Sequence, residues 1–385
     1  MIREVKTMNT KEIGEIRRRQ RRDRSNMTAI YGCYVNDNKE IISEFKQSIG
    51  MMPENEAEKY FAVLRRTLGG TLGKNLIDLT FKTAQVADSE EHKLLMQLRQ
   101  DGLKDEKIRM TFYQKVIATL DLDSSYAIFV GTDIYDVPFK DKEGESDETY
   151  TYILCAICPV KQTKANLHYV PEEKQFHDGN MANVVSAPAL GFLFPAFDNR
   201  ATNIYNALYY CKDVKDNHEA FVQAVFNTPV AKPAHEQKQS FQALLSRSLE
   251  EECTMEVVQT VHEQLCQQIA MHKESKVPEA LLINKEQVKQ ALEECGVSEG
   301  HVAKFSIDYD EAFGFEAQIH PTNVIDHKKI EIKTPDVIIK VAPDRGDLIE
   351  TRVIGGVKYI LINADENVEV NGVDITIADR EEVPV

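Results

Sequence analysis

The chain has 385 residues, 42% of them hydrophobic, and a formal net charge of −16. That length and composition predict a sizeable core divided over two or three domains, and no run of roughly 18 or more apolar residues is present to cross a bilayer as a helix. An acidic body repels nucleic acid and anionic membrane everywhere except at its first 30 residues, where nine Lys and Arg stand against four Asp and Glu, giving +5 there and −21 over the rest.

Asn9 followed by Glu12 has capping-box spacing, which predicts a helix from Thr10. Ile13 and Ile16 give it a narrow apolar stripe, and the next apolar residue is Met27. RRRQRRDRSN at 17–26 is therefore expected as a solvated helix or extended arm, with Arg17, Arg18, Arg19, Arg21, Arg22 and Arg24 facing water or a partner. AIYGCYV and EIISEF read as two strands around the turn residues NDNK, ENEAEKYFAVLRRTL as a helix, and NLIDLTF as a third strand. EEHKLLMQLR and DEKIRMTFYQKVIATL are helical, and SYAIFVGTDIY and ETYTYILCAICPV are strands joined by KDKEGESDE, expected to be a mobile loop. The prolines of TPVAKPAHE mark a linker, followed by apolar residues at helical spacing from Phe241 to Ile269. Two shorter helices follow KESKVPEA, and from Ile330 the pattern is of strands with Gly-Gly and Asn-Gly turns.

The chemistry-bearing motifs are weak. LGGTLGKN lacks the spacing of a phosphate loop and is better read as a helix-to-strand turn. Cys155 and Cys158 lie three apart on a strand, so they face opposite sides and are expected as core thiols. His262 and Cys266 share a helical face without further ligands at recognisable spacing, so no metal is expected. Glu331, Lys333, Asp336 and Lys340 resemble a nuclease set in composition but not in order, because the glutamate precedes the Pro-Asp. In FLFPAFDNRATNIYNALYY, Asp198, Asn199, Arg200 and Asn203 stand before an expected helix. They form either an anion-binding loop with Arg200 meeting the ligand, or a cap in which Asp198 starts the helix and Arg200 pairs locally. Seven cysteines, an odd number, do not form a disulfide framework, and the N-terminus has neither a secretory core nor the acid-poor character of a transit peptide. A reducing cytoplasm is the expected location.

MNTKEIGEIRRR, IYGCYVNDNKEIISEF, YILCAICPV, GFLFPAFDNRATNIYNALYYCKD and TRVIGGVKYILI together resemble the bacterial family called domain of unknown function 4317, over nearly everything from Met8 onward. The resemblance suggests Met8 as an alternative start and brings no catalytic residues with it. IEIKTPDVIIKVAPDRGDLIETRVIGGVKYILI is similar in pattern to the end of the nucleoid-associated 37-kilodalton family, which implies association with DNA.

The expected fold is α+β: a basic arm or helix at 1–27, a mainly antiparallel sheet domain with helices at 28–230, a helical segment at 231–315 and a small β module at 316–385. The expected function is that of a cytoplasmic, non-enzymatic binding protein without cofactor or membrane contact, meeting nucleic acid or a nucleoprotein through the arginines. A metal-dependent phosphodiesterase and a protein-interaction module with a structural arm are the alternatives.

Overall fold

In β1 (Ala29–Val35) successive side chains point to opposite faces, and both faces are apolar: Tyr31, Cys33 and Val35 on one side, Ile30 on the other. Such a strand needs cover above and below, and it lies inside an antiparallel sheet with helices on each face. This is a computed structural model, which describes residues 7–138, 146–164, 166–179, 181–364 and 368–377. The chain forms two compact units, Met1–Gln237 with Val277–Ala280, and Lys238–Lys276 with Leu281–Val385.

The strands of the first unit continue with β2 (Ile41–Ser48), β3 (Leu76–Thr80), β4 (Tyr126–Pro138), β5 (Ser146–Gln162), β6 (Asn166–Val170), β7 (Gln175–Gly179), β8 (Asn183–Val185), β9 (Leu190–Phe194), β10 (Ala196–Asp198), β11 (Ala201–Asn203) and β12 (Asn206–Cys211). The main sheet has the order β2-β1-β4-β5-β9-β12-β3, with β8 against the far part of β5, and each of its pairings is antiparallel. Its helices are α1 (Thr10–Arg19), α2 (Glu54–Arg66), α3 (Thr83–Asp88), α4 (Glu90–Gln100), α5 (Glu106–Thr119) and α6 (Glu219–Phe226). Ile13 and Ile16 of α1 and Ala57, Phe61 and Leu64 of α2 fill one face of the sheet, while α4, α5 and α6 fill the other.

α7 (Ala234–Leu249) leads into the second unit, which contains α8 (Met255–Ser275), α9 (Lys285–Glu294), α10 (Glu299–Phe313) and α11 (Pro321–Val324). Its helical core gathers Phe241, Leu245, Val261, Leu292, Phe305 and Tyr309. Three hairpins follow: β13 (Ile330–Lys333) with β14 (Ile338–Val341), β15 (Ile349–Ile354) with β16 (Val357–Ile362), and β17 (Val368–Val370) with β18 (Val373–Ile375). The fold is α+β, as its pattern predicts. Among the described residues no helix is long and apolar enough to cross a membrane.

One local reading meets a different outcome. The helix expected after Asp198 is absent: Asn199 and Arg200, with φ of 51° and 61°, form the two-residue turn of the β10–β11 hairpin, and NALYYC is β12. Left-handed conformation at both central positions is what a tight hairpin requires, so Asp198 caps nothing helical and pairs across the hairpin with Ala201. KDKEGESDE lies for the most part outside the described residues, and its last three positions open β5.

Cys155 and Cys158 do fall on opposite faces of β5, one in each core layer. All seven cysteines are free thiols; four are buried and three half-buried. Burial pushes Cys33 and Cys158 up to about 12 and Cys211 to about 11. Cys253, Cys266 and Cys295 are therefore expected to react with a thiol reagent in the native protein, and Cys33, Cys155, Cys158 and Cys211 only after unfolding. A denatured count below seven would contradict this.

Candidate functional site

The capping box at Asn9 and Glu12 is formed: the Asn9 side chain accepts from the Lys11 and Glu12 amides, and Glu12 accepts from the Asn9 amide at 2.9 Å. With its start fixed and Ile13 and Ile16 buried against the sheet, α1 has one possible rotation, which turns Arg17 and Arg18 outward. The helix then stops at a pin. Gln20 is fully buried, and its amide donates to the Tyr152 hydroxyl at 2.7 Å and to the Ile16 carbonyl at 3.3 Å.

Asp133, fully buried on β4, organises the whole segment. Its Oδ2 accepts from the Tyr152 hydroxyl at 2.8 Å and from Arg19 at 3.4 Å, while its Oδ1 accepts from the Asn26 amide at 2.7 Å and the Ile134 amide at 2.9 Å. Burial, and then Asp133, hold the Tyr152 hydroxyl far above its usual range, so it stays protonated and donates. Arg19 also lies over the Tyr135 ring, 4.1 Å from its centre. This arginine thus points inward, against the expectation that all six face water or a partner; a buried carboxylate and an aromatic face hold it.

Between the pins at Gln20 and Asn26 the chain turns back over α2. The Arg24 and Ser25 amides donate to the Arg21 carbonyl, the Arg22 amide donates to Glu58 at 2.9 Å, and Arg65 donates to the Gln20 carbonyl at 3.1 Å. The result is a concave pocket of about 500 Å³ lined by Gly14, Arg17, Arg18, Arg21, Arg24 and Arg65. A side chain at Gly14 would meet the Arg18 guanidinium at 3.3 Å; one at Gly69 would crowd the Arg66 carbonyl at 3.2 Å and touch Arg17 at ordinary contact distance. Among the described residues, the carboxylates that pair with these groups are Asp23, 3.4 Å from Arg21 and 3.7 Å from Arg24, and Glu58, 3.9 Å from Arg65. Such surface pairs contribute little and yield readily to a stronger anion.

Arg65 is absent from any local reading of the N-terminal arginines, because it lies on α2. Its one sequence signal is the basic pair Arg65-Arg66 in the last turn of that helix. Asp133 had a clearer signal: it occupies the same face of β4 as Phe129, Tyr135 and Val137, an acid where the pattern calls for an apolar side chain.

Arg200 is committed elsewhere. It donates to both oxygens of Glu15, at 2.9 and 2.8 Å, and to the Pro138 carbonyl, while Tyr135 donates to the same Glu15. Asn203 donates weakly to Asp198 at 3.4 Å and shares a contact with Asn206. At this opposite end of α1, Glu12 is raised by burial and then by Asp198. Asp78 is raised to about 7, chiefly by burial and further by Asp198, against a lowering hydrogen bond from the Met8 backbone. Asp78 as a residue keeps some exposed surface, but its Oδ1 is buried without a hydrogen-bond partner, so the carboxyl itself is in a dry site.

Below about pH 4 the Asp78 carboxyl is protonated in both states; between about pH 4 and about pH 7 only the unfolded chain releases the proton, so stability falls as pH rises through that window. Asp78→Asn is expected to raise the melting temperature at about pH 8 and to leave it unchanged at about pH 4. Equal shifts at both values would rule out the dry carboxyl.

Cys266 Sγ is 3.7 Å from His262 Nδ1, and His262 Nε2 lies 3.0 Å from the Asp326 carbonyl oxygen. Among the described residues the ligand-type group that converges is Glu250, Glu251 and His301, where Lys304 already neutralises Glu250. Glu331 and Lys340 are register partners on the exposed β13–β14 hairpin, with Lys329 2.9 Å from Glu331.

No curated protein and no solved structure matches the chain. The sequence profile of one family, described as Domain of unknown function (DUF4317), matches residues 8–373, from the last residue before the α1 cap to the final hairpin, and the chain belongs to that family.

Proposed function

We propose that the protein binds nucleic acid, free or within a nucleoprotein, through the arginine-lined pocket. The observation that supports this is the gathering of Arg17, Arg18, Arg21, Arg24 and Arg65 around one concavity, on a chain whose net charge is −16. Complementing the negative end of the α1 dipole accounts for Arg17 and Arg18. The same effect at the end of α2 accounts for Arg65, but not for Arg21 and Arg24, which lie beyond the α1 end, nor for the convergence of all five on one place.

Five guanidinium groups meet two carboxylates in this neighbourhood, Asp23 and Glu58, so the face keeps a surplus of positive charge. Arginine forks match phosphate oxygens in geometry, and the acidic remainder of the chain repels the same polyanion and confines it to this face. Titration of labelled DNA and RNA, single-stranded and duplex, into the full chain at about 50 mM salt is expected to give binding that weakens steeply as salt is raised. No binding of either at that salt would overturn the reading.

A further inference from the structure

Duplex nucleic acid spreads its charge along a convex cylinder, about one charge per 1.7 Å of axis. Arginines that read only such a backbone do best along a ridge or open face. Here they converge on one open concavity of about 500 Å³, within reach of a single compact group. The Arg18 guanidinium lies close over the main chain at Gly14, where a side chain would meet it at 3.3 Å. Arg65 donates from Nη1 to the Gln20 carbonyl, which orients its guanidinium before any ligand arrives.

Resting on the nucleic-acid reading and deepening it, we propose that the pocket takes a compact polyphosphate: a chain of three or more phosphates, carried either by a free nucleoside polyphosphate or by the 5′ end of an RNA. Such a group concentrates three to four negative charges within the reach of one pocket, which matches the surplus of five guanidiniums over Asp23 and Glu58. Asp23 sits between Arg21 and Arg24 as the exposed carboxylate that the incoming phosphate displaces. The polyphosphate is bound and not cleaved; no bond changes.

The test uses the full chain and one RNA sequence of about 12 nucleotides with either a 5′-triphosphate or a 5′-hydroxyl, at fixed salt, with inorganic tripolyphosphate and GTP as competitors. Charge-assisted contacts made only by the triphosphate are expected to tighten binding by at least about tenfold. Tripolyphosphate is expected to displace both RNAs. GTP competing as well as triphosphorylated RNA assigns the free nucleotide as the source, and RNA binding tighter than GTP assigns the RNA end.

Arg18→Gln, at an exposed position, is expected to cut the preference for the triphosphate end several-fold without a change in melting temperature, and Arg65→Gln to cut it as far with a small drop, because it also loses the bond to the Gln20 carbonyl. Equal binding of the two RNAs with no competition by tripolyphosphate overturns the polyphosphate site and leaves the nucleic-acid reading intact. Tripolyphosphate binding with no affinity for any RNA or DNA overturns the nucleic-acid reading and leaves the pocket as a small-ligand site. Binding of neither overturns both.

Discussion

Replacing Arg17, Arg18, Arg21, Arg24 and Arg65 together by glutamine is expected to remove most nucleic-acid affinity, at least about a hundredfold at about 50 mM salt, and most of its salt dependence. The size follows from counterion release. Five phosphate contacts on a duplex give a slope of about −4.5 in log affinity against log salt, so the wild type should weaken about 500-fold from about 50 to about 200 mM. On a single strand the slope is shallower and the same step costs about a hundredfold.

Thermal stability should barely change in this variant. Four of the five side chains are exposed, the pairs that Arg21 and Arg24 make with Asp23 are surface pairs, and only Arg65 makes a partly buried hydrogen bond. Arg19 is the internal control. It is held by Asp133 and Tyr135, outside the pocket, so Arg19→Gln should lower stability and affect binding only as far as it loosens the segment. A quintuple variant that binds as the wild type does, with the same salt slope, would remove the pocket from the function.

Asp133→Ala is expected to be the most damaging single change near the site, costing about 3–5 kcal/mol. The carboxylate is fully buried and accepts four hydrogen bonds, from Arg19, Asn26, Ile134 and Tyr152. Its loss leaves the Arg19 charge without its buried partner, the Tyr152 hydroxyl without its acceptor, and the Asn26 amide unsatisfied in a partly buried turn. A drop of roughly 10 °C in melting temperature follows. Because Gln20 and Asn26 bracket the arginine turn, the variant should also bind nucleic acid more weakly even below its melting point. Asp133→Asn keeps an acceptor for Tyr152 and should lose less. A melting temperature for Asp133→Ala within about 1 °C of wild type would show that the network does not anchor the segment.

What the sequence determined by itself was whatever depends on neighbours along the chain. The capping box is a contact between positions three apart, so Asn9 and Glu12 announced the start of α1, and the Ile13–Ile16 stripe announced its buried side. Period-two alternation placed Cys155 and Cys158 on opposite faces of β5. The charge imbalance of the first 30 residues was equally plain.

The tertiary structure decided whatever needed a partner far along the chain. NIYNALYY carries apolar residues four apart at Ile204 and Leu208, compatible with a helix; pairing with β3 on one side and β9 on the other makes it a strand, because ladder hydrogen bonds to two neighbours outweigh a weak local preference. The six N-terminal arginines look alike in sequence. Asp133, 114 residues beyond Arg19, singles that one out for a structural role, and the packing of α2 beside α1 brings Arg65 to Arg17, Arg18, Arg21 and Arg24. A run of like charge has no local term to say which members turn inward or what shape the others make. Only burial of a distant carboxylate, and the docking of one helix beside another, turned an expected arm into a pocket.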